Sequence, residues 1–547
     1  MMRAIGFVAI VSGLAACSSG TATEDLPPVL EITTPQRGTF SSAAEVTVTG
    51  RVTDEGAVRV SVNGTAVTPA ADGSFTTTVA VEPGIGLIET HAIDSAGHDV
   101  RDVRAVLSGE VAPSDGSVKA AVGARLAPAG LQTVATSIAT AAKAIDFTAA
   151  AKAMNPVYNN TGCLGARIDI TSVTLGNIGA TLTPKAGAID TAVAISNVVV
   201  RLNANFRVAC ISGSTTITVR SSTARVRDDL GVTIAAGKLK TALPSPTVTL
   251  EGFQVDVGGV PGAIESLLKD QARSAAEKAI VGALQSRVPA IADAKLADLI
   301  AKPLSTTLLG KTLTSTVTPS KIELAATGLF VAVDTTLAVE GGEGGSFAAN
   351  PMPITASLVG NARTLGVAVA DDVVNQLFAG LWAAGSLDAM LPIASVGPIA
   401  ALLDDDVATL EVKMSLPPTM GTVGSGLELA LGDLIITGRD ASGAEVQKFA
   451  MSLRTTIVAG PTGANKLVLT TTTPIVFAQV LVQSAAVDNP LDASELEGIV
   501  AGVWGVVGGM ADDALAKLPM PAVAGIQLGA PTVQGDAGYV VLDVGTP

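Results

Sequence analysis

Three cysteines, two histidines and one run of three adjacent aspartates are the side chains in this 547-residue sequence whose types and spacing invite a chemical reading. Cys17 closes the string Leu14-Ala15-Ala16-Cys17, which follows a single positive residue, Arg3, and an apolar run from Ala4 to Val11. That succession makes residues 1–16 a secretory signal. Small residues ahead of a cysteine leave that site open to a peptidase. Cys163 and Cys210 are then two thiols in an exported chain, so pairing between them is expected. The loop they would close is roughly fifty residues, worth on the order of 4 kcal/mol in chain entropy. Two cysteines cannot complete a tetrahedral zinc site without further ligands.

The two histidines, His91 and His98, both fall in the first hundred residues. No Ser-His-Asp or Cys-His arrangement, and no histidine-ligated metal, can therefore form within the remaining chain. His91 lies between strand residues and reads as a packed or edge histidine; His98 follows Gly97 in a turn and reads as solvent-facing. Asp404-Asp405-Asp406 lacks the spacing of a calcium loop and reads as a solvated loop or helix start. No GxSxG elbow, phosphate-cradling GxxxxGK[ST] or strand-led GxGxxG is present. A glycosidase-type carboxylate pair stays open in principle, but no pair stands out in a chain with 15% charged residues. The expectation is a protein that is not an enzyme, with no cofactor and no metal.

The string ending at Cys17 resembles a bacterial lipoprotein box. The resemblance implies lipidation of Cys17 as the first mature residue, and multiple acyl chains anchor stably where one is marginal. Ser18 and Ser19 lack the aspartate that resembles an inner-membrane retention signal, so the expected address is the outer membrane, on its periplasmic or surface face. The chain carries a net charge of −15, near −16 without residues 1–16, a mean hydropathy of +0.49 and only 3% aromatics. The acidic balance argues against nucleic acid, whose binding needs Lys and Arg to displace counterions, and against purely electrostatic adhesion to an anionic membrane. After the signal no run of eighteen apolar residues is free of charge, so no transmembrane helix is expected. The apolar excess lies in small aliphatic residues at strand and helix periods.

The elements that must position any site follow from those periods. Residues 17–27 are small and polar and end in prolines, a tether. Residues 28–109 alternate at period two in short runs such as Glu45–Thr49 and Val58–Val62, with hairpin signals at Asn63-Gly64 and Asp72-Gly73. About seven short strands predict an all-β Ig-like sandwich, and its turn pattern resembles the accessory Ig-like modules of bacterial surface proteins. From Val118 the helix period takes over, with Leu131, Val134, Ala135, Ile138, Ala142 and Ile145 on one face of a long helix. Strand alternation follows from Ala166 to about Val257, placing Ile168, Ile170, Val193, Ile195, Ile217 and Val219 inward. A second long helix, 263–283, carries Ile264, Leu267, Leu268 and Ala276 on its apolar side. The second half repeats the order: a helix at 372–384, strands near 408–414, 426–437, 445–457 and 466–480, then a glycine-weakened helix from Ala493 with Leu496, Ile499, Val500, Val503, Trp504 and Val507 on one face. Alternation from Ile322 to Val339 suits a sheet shared by the two halves.

The segment Leu365–Leu387 is the most distinctive. It reads as a strand, an acidic N-cap at Asp371 or Asp372, an apolar stripe of Val374, Leu377, Phe378, Leu381 and Trp382, and Gly385 where a C-cap belongs. Strand, Asp-Asp, Asn-Gln-Leu, aromatic, Leu-Trp and Gly closely resembles the opening of the second barrel in the bactericidal/permeability-increasing protein family, a branch of the tubular lipid-binding superfamily. The Leu518-Pro519-Met520-Pro521 element before terminal strands near 524–530 and 538–544 resembles that family's ending. The resemblance covers about residues 118–547. It implies two α+β barrels, 115–305 and 306–547, each a long helix wrapped by a curled antiparallel sheet and joined through a central sheet. It also implies a single disulfide in the first barrel, compatible with Cys163 and Cys210, and a phospholipid or other acyl lipid held in apolar grooves. The candidate groove residues are Leu131, Val134, Ile138, Ile264, Leu268, Val374, Phe378, Leu381, Trp382, Ile499 and Val503, though a stripe at helical spacing is core far more often than ligand contact. The alternative is a surface-display or adhesion scaffold whose Ig-like module contacts a protein partner. A carrier that shuttles lipid within the periplasm is a third arrangement.

Overall fold

The computed structural model describes residues 26–260, 262–297, 304–360, 362–396, 400, 403–423, 426–462, 466–483, 490–501, 532–536 and 538–544. Cys17 with the whole of 1–16, Val503, Trp504, Val507, the Leu518–Pro521 element and the strand near 524–530 lie outside the described residues. The chain divides into two compact units. Within the described residues the first holds 26–34, Thr47–Val79 and Glu89–Asp102; the second holds Pro35–Val46, Ala80–Ile88 and everything from Val103 onward.

Residues 28–108 form an Ig-like sandwich of a three-stranded and a five-stranded sheet. In Glu45–Thr53 buried and exposed positions alternate, with Val46, Val48 and Val52 inward, as a half-buried strand requires. Asn63 and Gly64 both adopt positive φ, 45° and 75°, the conformation a two-residue hairpin needs to match the strand twist.

The first barrel is built on one long hairpin, Ala188–Val208 with Ile211–Ala235, paired from Ile189↔Leu230 to Val208↔Ile211. Its inward positions step from Val193 and Ile195 to Val198 and Val200 around Asn197, whose φ is 51°. Asparagine tolerates that left-handed conformation, and the parity step keeps the apolar set facing inward as the sheet curls. Helices α1 (Pro128–Ala142), α2 (Phe147–Lys152) and α3 (Gly262–Ala297) pack against it.

A seven-stranded sheet lies between the halves, in the order Leu304–Leu308, Lys311–Ala325, Gly328–Val339, Ser117–Leu126, Leu365–Ala370, Tyr539–Val544, Thr532–Asp536. Both of its faces are covered. Leu126, Val331, Val333, Val367 and Leu542 join the first-barrel core, while Phe330, Ala332, Ala368, Tyr539 and Val541 form a core on the other side. Burial on both faces explains why Gly328–Val333 and Leu365–Ala368 read as continuous apolar runs. The second sheet runs Ala389–Pro392, Thr409–Met414, Gly426–Arg439, Glu445–Thr462, Lys466–Thr471, with helix α4 (Asp371–Ala383) and a helix at 493–501 beside it.

Four local expectations are corrected. The helix expected through Ile145 ends at Ala142, because Asp146 caps α2 by accepting from the Ala149 N–H at 2.9 Å. The helix expected at 263–283 continues to Ala297 with Pro289 inside it, its inward side carried on by Leu284, Val288, Ala292 and Leu296. The strand expected at 466–480 is two, Lys466–Thr471 and Ile475–Gln483, separated by a stretch containing Pro474, which has no N–H to give a ladder; both pair with Glu445–Thr462. Neither Asp371 nor Asp372 is the N-cap of α4: that position is Ala370, and both aspartates sit in the buried first turn. The far end of α4 is as expected. Gly385 has φ +68°, its N–H donates to the Trp382 carbonyl and that of Ser386 to Leu381, both at 3.0 Å, a Schellman closure.

Candidate functional site

The candidate site is the apolar interior of the first barrel. On the central hairpin its inward residues, from Val193 and Ile195 through Val200, Leu202 and Ala204 to Ile217, Val219 and Leu230, are at most 5% exposed. Helix α1 closes one side against Ile178–Lys185. Helix α3 closes the other against three short strands, Lys238–Ala242, Thr247–Glu251 and Gln254–Val257, and along the last two burial falls away. Val248, Phe253, Val255 and Val257, with Val260 and Leu267, are only half-buried while still packed on the same core. Two short strands broken at Gly252 (φ +60°) cannot present the continuous wall that a 21-residue and a 25-residue strand can. The seam between α3 and these strands is thus one place where the apolar interior reaches solvent. Arg273 of α3 lies over the Phe253 ring there, 5.0 Å from its centroid, and donates to Glu277 at 3.0 Å.

Of the residues singled out in the sequence, Leu131, Val134, Ile138, Ile264 and Leu268 meet in this one core, each buried. The others sit apart from it. Leu381 packs with Leu313, Leu337 and Leu377. Val374 and Phe378, half-buried, pack on Met420, Leu427 and Ile457. Trp382 donates through Nε1 to the Met414 carbonyl at 2.8 Å. Ile499 packs on the core that holds Leu403, Phe449 and Leu496. Cys163 and Cys210 are joined by a disulfide. His91 faces Asp99 at 2.9 Å, and His98 faces Asp94 at 2.7 Å. Asp404 is buried at a turn and accepts from the Asp406 N–H at 3.0 Å. Among the described residues no cluster of three metal-ligating side chains occurs and no helix is long and apolar enough to cross a membrane, which says nothing of strands.

Two buried polar groupings were not visible in the sequence. Asp371 is pushed up to about 7, first by burial and then by the neighbouring Asp372 charge. Burial also raises Asp372, although it accepts the Asn350 N–H at 2.8 Å. Burial, with both carboxylates nearby, lifts Tyr539 to about 12; its hydroxyl donates to the Met352 carbonyl at 2.6 Å. Asp433 forms the second. A bulge in Gly426–Arg439 places it at φ 46°, where its carboxylate pairs with Arg37 and accepts the Ala105 N–H at 3.1 Å. Burial raises its pKa in spite of the Arg37 charge. Gly432 inside a strand pattern was the available signal for that bulge.

The family model described as "Glucodextranase, domain B" matches residues 28–108, the Ig-like sandwich. No curated protein matches in sequence. Solved structures similar to the chain include a crystal structure of lipopolysaccharide binding protein, at 14% identity and TM-score 0.44, covering 78% of this chain and 99% of that one. The solution structure of latherin is similar at 15% identity and TM-score 0.20, covering 32% and 86%. At those TM-scores the likenesses carry no weight of their own. From about residue 118 onward the chain's own element order, helices and curled sheets flanking a central sheet, is the one the bactericidal/permeability-increasing resemblance implies.

Proposed function

We propose that this chain is a non-enzymatic lipid-binding lipoprotein that takes acyl chains into the first barrel through the seam between α3 and the strands Thr247–Glu251 and Gln254–Val257. One observation carries the reading: inward residues that are at most 5% exposed along the middle of the central hairpin give way to the half-buried Val248, Phe253, Val255 and Val257 where α3 meets the two short strands. An acyl chain entering there removes apolar surface from water, about 0.8 kcal/mol per methylene. Binding requires no hydrogen-bond readout of the tail. The polar head stays at the rim, beside Arg273 and Phe253. Acylated Cys17 anchors the chain at the outer membrane, and lipid transfer follows if cargo exchanges through the seam.

The alternative scaffold reading draws on the tight burial of Leu131, Ile138, Ile264 and Leu268, which leaves these candidates in the core. In that case the Ig-like module makes the contacts with a protein partner. Uptake of a fluorescent phospholipid separates the two. The lipid reading expects saturable uptake that falls when Val255→Asp is introduced; the scaffold reading expects none by either protein.

A further inference from the structure

Residues 350–354, Asn-Pro-Met-Pro-Ile, cross the start of α4 as an exposed strap that belongs to no strand. Its two prolines have no N–H to give a ladder. At one end it leaves the strand Ser346–Ala349, which pairs with Glu110–Pro113; at the other, Ile354 is buried in the core that holds Phe330. Two hydrogen bonds tie it down in between. The Asn350 N–H donates to the Asp372 carboxylate at 2.8 Å, and the Met352 carbonyl accepts from the Tyr539 hydroxyl at 2.6 Å. A Cβ placed on Gly538 would stand within 4 Å of both Met352 and the Asp371 carboxylate. Strap, aspartates and terminal hairpin therefore meet at one corner.

The groups that titrate at that corner are acids. Tyr539 feels the charge of both aspartates, and Glu110 acts on Asp372; Asp536 is the residue opposite Tyr539 in the hairpin. The strands packed on α4 include Ser117–Leu126, Gly328–Val339, Ser346–Ala349, Leu365–Ala370 and Thr419–Val423. Their ionisable residues are Lys119, Arg125 and Asp334. Lys119 pairs with Asp334 at 3.1 Å, and Arg125 donates to the Val359 carbonyl at 3.0 Å. Among the described residues no lysine or arginine pairs with Asp371 or Asp372.

We propose that residues 350–354 are a pH-operated strap, closed over the two aspartates in acid and released from the start of α4 as Asp371 loses its proton. A second charge buried beside Asp372, with Glu110 acting on the same pair and no cation to offset it, is relieved by water. The strap is the covering that can lift to admit that water without breaking a sheet ladder. Burial, and after it the Asp372 charge, raises Asp371 to about 7 while the strap is closed. Once water reaches the carboxyl, it returns toward the ordinary 3.8. The closed strap is therefore fully favoured below about pH 4 and loses ground until the pH has passed about 7. The Asn350 N–H works against part of this, since it lowers Asp372. Lifting of the strap does not depend on whether the first barrel takes up lipid.

Hydrogen exchange read by mass spectrometry tests this on the chain carrying Cys17→Ser, from about pH 5 to about pH 9, with the intrinsic pH dependence of exchange divided out. The amides of Asn350, Met352 and Ile354 should open roughly tenfold or more often at about pH 7 than at about pH 5, and level off above about pH 8. The first-barrel hairpin strand Ala188–Val208 should keep its protection throughout. Asp371→Asn should hold the strap at its acid-state protection across the range. Tyr539→Phe removes the tie to Met352 and leaves both aspartates; it should open the strap already at the acid end and preserve the rise toward neutral pH. Parent and Tyr539→Phe decide the matter even where Asp371→Asn does not fold. Strap protection that is flat with pH in the parent, a rise that survives Asp371→Asn, or a loss shared equally by Ala188–Val208 overturns the proposal. So does parent-like strap protection in Tyr539→Phe at the acid end.

Discussion

Arg37 and Asp433, 396 residues apart, form a buried ion pair inside the second compact unit. Arg37 also donates to the carbonyl of Val103 at 2.9 Å and to the side chain of Gln479, which in turn accepts the Val103 N–H at 3.2 Å. The Asp433 N–H is held by Ser452 Oγ at 3.0 Å. Segment 35–46 and the strand from Val103 are thereby fastened to the sheet Gly426–Arg439 through polar groups that water scarcely reaches. Removing one partner strands the other. Arg37→Ala should destabilise the unit by about 3–5 kcal/mol, whereas Arg37→Met/Asp433→Leu, which removes both charges, should cost less. Urea unfolding of the two variants checks this; equal losses would mean that the pairing itself is not what matters.

Asp371 makes stability depend on pH. Its folded pKa, about 7, lies above the 3.8 of an ordinary aspartate. The contribution is therefore fully present below about pH 4 and is lost as pH rises through about 7. Asp371→Asn removes the ionisation while keeping the shape. The variant should gain on the order of a few kcal/mol over the parent at pH 8 and little at pH 4. Thermal melts of both proteins across that range should converge at the acid end.

Reduction of the disulfide should loosen the first barrel. Cys163 and Cys210 are 47 residues apart, so the chain-entropy contribution is about 4 kcal/mol. Cys163→Ser/Cys210→Ser should lower the unfolding midpoint by a corresponding amount and make it insensitive to reductant.

The core and the seam should separate under substitution. Leu202→Ala, within the fully buried hairpin, should cost about 2–5 kcal/mol. Phe253→Ala at the half-buried seam should cost less stability and more lipid uptake, a difference that melts and binding isotherms measure together.

What could be read in the sequence follows from period and charge. Period two located Val193, Ile195, Ile217 and Val219 on the inner face, and all four are buried. The Leu365–Leu387 segment gave strand, helix and C-terminal glycine in the right order, because those signals are local. Asp371 and Asp372 misled as caps because their burial depends on Asn350 and Gly538, which only the tertiary fold brings up to them. The pairing of Arg37 with Asp433 was illegible for the same reason: nothing local joins residues so far apart. The seam too was hidden, since Phe253, Val255 and Val257 alternate as any inward strand does, and only the helix set against them leaves them half covered.

Native mass spectrometry with lipid extraction, on the chain carrying Cys17→Ser expressed in a bacterial envelope, tests the central claim most directly. The account predicts a stoichiometric phospholipid or fatty acid that leaves on extraction and is depleted in Val255→Asp. A protein that emerges without lipid, and takes up none when offered it, would contradict the account.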